Sequence, residues 1–212
     1  MKRLQRLRAT APLRDMVSEL GFSQAQLIQP LFLAEGITKE EPLAGLPGNS
    51  RHTLSSLLTQ FEKDMAAGVR QFLLFPVPAH KSNRNFAADF VGTALQQMRQ
   101  RAGSNAAIWV DTCLCSFTET GHCCVHDSRG RQDLAATHSA LGLLGLTYVK
   151  AGADGISPSD MNDCRVAFLR ADASVAALCR RSRRRNCGST FAPARETAGT
   201  GARRRSGPFR IG

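Results

Sequence analysis

Four apolar blocks, each followed by a stretch with helical spacing, constrain the fold of this chain more than any other feature. The second block is the clearest. Val69 to Pro76 contains Phe72, Leu73, Leu74 and Phe75 without interruption, the pattern expected of a strand buried on both faces of a parallel sheet. Before it, Leu27 to Ala34 reads as a short strand, and Leu54, Leu57, Leu58, Phe61 and Met65 share one face of a helix that Gly68 can end. After it come a helix from about Phe86 to Arg101, a strand from Ala106 to Val110, a helix from about Asp133 to Ala151 and a short strand from Ala153 to Ile156. Gly142 and Gly145 weaken the last of these helices, by about 1 kcal/mol each relative to Ala. The run Ser157-Pro-Ser-Asp160 closes the fourth strand, and helical spacing resumes from Asn162 to about Leu178. Strand and helix repeated four times predicts an α/β fold whose parallel sheet is covered by helices. Chemistry on such sheets sits in the loops after the strand carboxyl ends.

The chain has 212 residues, enough for one substantial core and near the lower limit for a single α/β barrel. A formal net charge of +11 suggests a nucleic-acid or acidic-membrane partner only if it is spread over the molecule. It is concentrated instead. Residues 180–212 hold ten arginines, no lysine and one acid, Glu196, so nearly all of the excess charge belongs to a tail. The 7 cysteines are odd in number and no apolar signal segment opens the chain, which argues for a reducing, cytoplasmic setting rather than a disulfide framework, while the Arg-rich start, acid-poor up to Asp15, also suits an organelle transit peptide. No apolar run approaches the roughly 20 residues that span a bilayer.

Asp111-Thr-Cys-Leu-Cys-Ser-Phe-Thr-Glu-Thr-Gly-His-Cys123 comes after the third strand and places Cys113, Cys115, His122 and Cys123 close together. Thiolate and imidazole are the borderline-soft ligands that zinc prefers, and three ligands leave the fourth position open as a catalytic zinc requires. Cys113, Cys115 and Cys123 are the candidate ligands, and His122 either ligates or sits beside the metal. The same spacing suits small buried thiols or redox cysteines, and the residues alone leave both readings open.

Several blocks, in order, resemble the delta-aminolevulinic acid dehydratase (porphobilinogen synthase) family. They are Arg8 to Glu19, Leu27 to Gly36, Leu46 to Arg51, Phe75-Pro76, Asp111 to Cys123 and Gly152 to Arg170, together spanning roughly residues 6 to 175. The resemblance implies a (β/α)8 TIM-barrel fold with an N-terminal arm that embraces a neighbouring subunit, usually in a homo-octamer. It implies condensation of two 5-aminolevulinate molecules to porphobilinogen in heme biosynthesis. It also implies zinc on Cys113, Cys115 and Cys123, His122 close to that metal, and Asp111 and Ser159 at the active-site mouth. On this reading residues 1–24 are the arm, 25–178 a partial barrel of about four βα units, and 179–212 a basic low-complexity tail, disordered or translated out of frame.

Beyond the fourth strand the chain departs from the family. The family's two Schiff-base lysines belong on later strands, and the five lysines here, Lys2, Lys39, Lys63, Lys81 and Lys150, match neither. The resemblance therefore implies an inactive chain, poorly soluble or intertwined because four strands cannot close a barrel. Alternatives of other classes are a non-catalytic subunit partner, or nucleic-acid binding through the Arg-rich tail, which has only Phe191 and Phe209 for base stacking. Within the matched blocks, Cys124 and Cys164 each stand where the family usually has glycine, and Asn162 also departs from its pattern.

Overall fold

The computed structural model describes residues 6–21 and 23–171. Its frame is a six-stranded sheet in the order β2-β3-β1-β4-β5-β8, where β1 is Gln29–Ala34, β2 Glu41–Pro42, β3 Ser50–His52, β4 Gln71–Val77, β5 Ala107–Asp111 and β8 Gly155–Ser157; β6 (Val125–His126) and β7 (Gln132–Asp133) form a separate antiparallel hairpin. The strands β1, β4, β5 and β8 are parallel, and each new one is added at the same edge. Between them run α2 (Leu54–Ala66), α3 (Asp89–Ala102) and α4 (Leu134–Ala151), and α5 (Arg165–Ala171) comes after β8. Sequential addition at one edge is the winding of a barrel; a doubly wound sheet would reverse its strand order.

Register decides which face is buried. Leu31 pairs with Leu74 and Leu74 with Val110, while Phe72 pairs with Ile108. Partners in a parallel sheet share a face, and these side chains meet Leu57 and Phe61 of α2, Val91, Leu95 and Met98 of α3, and Leu141 and Tyr148 of α4 in one cluster. Phe61 and Phe72 pack edge to face, ring centroids 4.5 Å apart. The other face carries Phe32 stacked on Phe75 at 4.9 Å, together with Leu73, Val77 and Trp109. Here the structure corrects the expectation for the second strand: β4 alternates buried and half-buried residues instead of being buried throughout. Helices cover one face of the sheet; no described element covers the other. Trp109, 39% exposed, rests on β8, where a Cβ at Gly155 would come within 2.7 Å of its ring.

Local chemistry accounts for the helix ends. Thr53 caps α2 by accepting from the Ser56 amide, and Asp133 caps α4 by accepting from the Ala136 amide. Gly152 ends α4 in the left-handed conformation at φ 112°. The helix expected from Phe86 starts at Asp89, and the one expected from Asn162 starts at Arg165 because Asp160 and Asn162 hold the preceding turn. Gly142 and Gly145 lie on the buried side of α4, so residues weak in propensity serve close packing. The body is also cross-braced: the Asp154 carboxylate accepts from the Ile108 amide at 2.8 Å and from the Arg99 guanidinium, which also donates to the Gly152 and Ala106 carbonyls.

Within the arm, α1 (Ala11–Met16) is a short exposed helix capped by Thr10. The arm meets the body where Gln24 donates to the Ala67 carbonyl and Gln71 to that of Ala25. Residues 179–212, expected as a tail, lie outside the described residues. Among the described residues no helix is long and apolar enough to cross a membrane.

Two substitutions test this packing. Phe61→Ala empties a fully buried aromatic position and is expected to cost about 3–5 kcal/mol in denaturant unfolding. Cys164 is the one non-glycine residue with positive φ among those described, at 60°. Cys164→Gly relieves that strain and is expected to stabilise by about 1 kcal/mol, read as a higher melting temperature.

Candidate metal centre

The loop after β5 opens with Thr112, whose amide donates to the Ser157 carbonyl of β8 at 2.9 Å, so the loop starts in register with the next strand. One helical turn comes next, in which the Phe117 and Thr118 amides both donate to the Leu114 carbonyl. Leu114 and Phe117 sink into the core, and Phe86 meets the Phe117 ring edge-on at 6.4 Å. The turn is thus nailed down by apolar side chains while the residues between them stay free for chemistry. Gly121, at φ 73°, reverses the chain, and the Thr118 hydroxyl fixes the return by donating to the His122 carbonyl at 2.8 Å.

This path brings Cys113, Cys115 and Cys123 together, with their sulfurs within 4.8 Å of one another. Cys113 is 2% exposed, and its sulfur accepts from the Cys115 amide at 3.5 Å. Cys115 and Cys123 are half-buried. The S–H of Cys113 donating to Cys115 holds the Cys115 thiol down to about 6, against the opposing effect of burial. Cys113 is pushed far up by that same pairing and by burial, and Cys123 is raised by burial first. A cation held by these three sulfurs would displace the protons that Cys113 and Cys123 hold.

Asp111, the last residue of β5, borders the triad and is 9% exposed. Burial raises its carboxyl, the hydrogen bond with the exposed Ser159 lowers it, and the Asp160 charge raises it. Its Oδ1 is buried without a hydrogen-bond partner among the described residues. His122 stands apart from the three sulfurs: it is exposed, and its ring meets that of His126 at 5.4 Å.

The loop after β8 fixes the other side. Asp160 is 0% exposed, accepts from the Asn162 amide at 2.9 Å and pairs with Arg165 at 3.2 Å. Asn162 donates to the Cys123 carbonyl at 2.9 Å and accepts from Gln132, so it clamps Cys123 to the β8 loop. In the sequence Asn162 stands out only as a departure from the family's pattern; the clue to its role is an amide side chain two residues from a buried acid, in a loop that must meet a cysteine-rich one. The β4 loop closes the third side through Ser82 N–H to the Phe117 carbonyl at 2.8 Å and Asn83 to Glu119 at 2.8 Å.

The thiol geometry carries a pH dependence. In the metal-free, reduced chain, iodoacetamide is expected to modify Cys115 before Cys113 or Cys123. The Cys115 rate should rise with pH through about 6 and then level off, since the thiolate is the nucleophile. Peptide mass mapping over pH 5–8 checks this, and preferential labelling of Cys113 is the contrary result.

A sequence profile described as delta-aminolevulinic acid dehydratase matches residues 1–180. Relatives of that description include one from Mycobacterium tuberculosis (strain CDC 1551 / Oshkosh), 33% identical over 175 residues, 80% of this chain and 53% of that protein. Another, from Ruminiclostridium josui, is 36% identical over 174 residues, 80% of this chain and 84% of that protein. Among solved structures, the delta-aminolevulinic acid dehydratase of Toxoplasma gondii ME49, in complex with its reaction product porphobilinogen, superposes with a TM-score of 0.75. It is 27% identical, and the match covers 85% of this chain and 52% of that one. The chain thus spans about half the length of the first curated relatives it matches. With the barrel winding, the loop that gathers three thiols and a match running through both, this chain belongs to the delta-aminolevulinic acid dehydratase family.

Proposed function

We propose that the chain carries the metal-binding half of a porphobilinogen synthase site, where zinc on Cys113, Cys115 and Cys123 serves the condensation of two 5-aminolevulinate molecules. The convergence of three sulfurs within 4.8 Å at the carboxyl end of a barrel strand carries this reading. The donor set fits the metal: three thiols suit a borderline-soft cation, and the unpartnered Asp111 Oδ1 beside them suits a site that gains positive charge. Zinc held there would supply a Lewis acid for a substrate or water oxygen.

The chain's own residues do the positioning. Cys115 has the most acidic of the three thiols, and Cys113 and Cys123 would have to give up their protons for zinc to be held. Asp111 and Ser159 stand together at the mouth, Asp111 buried and Ser159 exposed, so an incoming carboxylate or amine would meet the serine first. Asn162 keeps Cys123 from drifting outward.

The nucleophile is a separate matter. A Schiff-base amine works when burial or a neighbouring cation depresses its pKa. The described lysines, Lys39, Lys63, Lys81 and Lys150, are all exposed. In this reading the reactive amines come from barrel units beyond these four, and the chain alone binds the metal without turning over. A homo-oligomer assembled through the N-terminal arm, in a reducing cytoplasmic compartment that keeps the thiols free, completes the proposal.

Alkylation in the presence and absence of zinc tests the binding step. Zinc is expected to protect Cys113, Cys115 and Cys123 together, and Cys115→Ser to lower that protection at least tenfold. Unprotected sulfurs at saturating zinc overturn the metal assignment. Porphobilinogen formation by the purified, reduced, zinc-loaded chain tests the other half: no product is expected, and turnover at a normal enzyme rate of about 1 per second or more overturns the lysine argument.

A further inference from the structure

Two strand edges and one sheet face have no partner among the described residues. β8 pairs with β5 alone, so its outer edge carries unpaired backbone groups. At the other end β3 pairs with Phe32 and Leu33 of β1, and the first half of β1 borders a trench of about 190 Å³ lined by Gln29, Pro30, Leu31, Ser50 and His52. Between these edges lies the face that no described helix covers, with Phe32, Leu73, Phe75 and Val77 half-buried and Trp109 exposed. An apolar surface that runs across three adjacent strands between open edges marks a contact with further protein.

The chemistry of the chain selects the occupant. Residues 180–212 hold ten arginines, and their large apolar side chains are Phe191, Phe209 and Ile211. Covering the face with that segment would bury guanidinium groups without partner anions. A second copy has no such cost. The winding contains four parallel strands, β1, β4, β5 and β8, and a closed barrel of this fold has eight. Two copies related by a two-fold axis along the strands supply eight, and the rotation sets the β8 edge of each beside the β1 edge of the other. The same seam is then made twice and leaves neither parallel edge open, while the two apolar faces become one packed interior.

We propose that the uncovered face is an interface with a second copy of this chain, in a closed two-fold dimer of half barrels. With the axis along the strands, both sets of carboxyl-end loops open at the same end, and two cysteine triads share one mouth. The interface stands whether or not the triads hold zinc, and it is distinct from assembly through the N-terminal arm.

Sedimentation velocity of the full, reduced chain at micromolar concentration tests it. The arm is first disabled by Met16→Glu/Leu20→Glu, both exposed positions, and a mass of two chains is still expected. Adding Leu73→Glu/Trp109→Glu puts carboxylates from both copies into the shared interior and should raise the dissociation constant about a hundredfold or more, with circular dichroism showing an unchanged fold. Leu143→Glu, on the exposed side of α4, should leave the dimer intact. A monomeric Met16→Glu/Leu20→Glu chain overturns the proposal, as does a dimer that the Leu73 and Trp109 substitutions leave intact. Open-ended aggregation overturns it too, because a closed two-fold pair offers no edge for growth. Hydrogen exchange of the Met16→Glu/Leu20→Glu chain needs no change in the face: the amides of Gly155–Ser157 should exchange more slowly as concentration rises through the dissociation constant, and exchange independent of concentration is the contrary result. Zinc protection of the thiols is read by alkylation on the same samples, so failure of the metal assignment and failure of the dimer are seen separately.

Discussion

Burial of one face of a parallel sheet is the constraint on which the remaining structure depends. Leu31, Phe72, Leu74, Ile108 and Val110 are covered by α2, α3 and α4, and removing apolar area of that extent from water is the dominant favourable contribution to folding. Because β1, β4, β5 and β8 are parallel, each helical crossover returns the chain to the amino end of the next strand. The carboxyl ends of β4, β5 and β8 therefore face one way, and the loops that leave them meet. A cysteine triad contributed by a single loop gains its walls from the two neighbours because of this alignment, without any further device.

The loops, once gathered, are held by polar contacts rather than by burial. Asp160 is the costliest of these groups to hold out of water: it is fully buried, its Oδ1 accepts from the Asn162 amide, and the Arg165 guanidinium lies 3.2 Å from its Oδ2. Breaking such a pair by removing one partner typically costs about 3–5 kcal/mol. Asn162 spreads that rigidity sideways to Cys123, and Ser82 and Asn83 do the same for the turn that carries Cys115. The sulfurs are positioned by a framework that touches their backbones and leaves the thiols themselves free to exchange protons for a cation.

Much of this is legible in the residues. Apolar blocks of strand length bounded by turn residues and followed by helical spacing locate β1, β4, β5 and β8 to within two residues. The cysteine spacing marks out the three sulfurs that the fold brings together. The features that escape have physical reasons. β2, β3 and the β6–β7 hairpin are two or three residues long, held by backbone pairing that leaves no periodic trace. The one-sided burial of β4 depends on what faces it in space, which a run of apolar letters does not encode. Asn162 acts through contacts 30 and 39 residues distant, with Gln132 and Cys123, and long-range pairing of this kind carries no local signature. His122 shows the limit in another way: adjacency to Cys123 places its ring on the far side of a bend.

Trp109 lies against Gly155 on the uncovered face of the sheet, and it is the chain's single tryptophan. Indole emission shifts to shorter wavelength as water leaves the ring, so the colour of this protein's fluorescence belongs to one patch of surface. Anything that settles over Phe32, Phe75 and Leu73, whether a second copy or the remaining strands of a barrel, alters the light the molecule gives off. The chain carries its own optical gauge of whether that face is wet or dry.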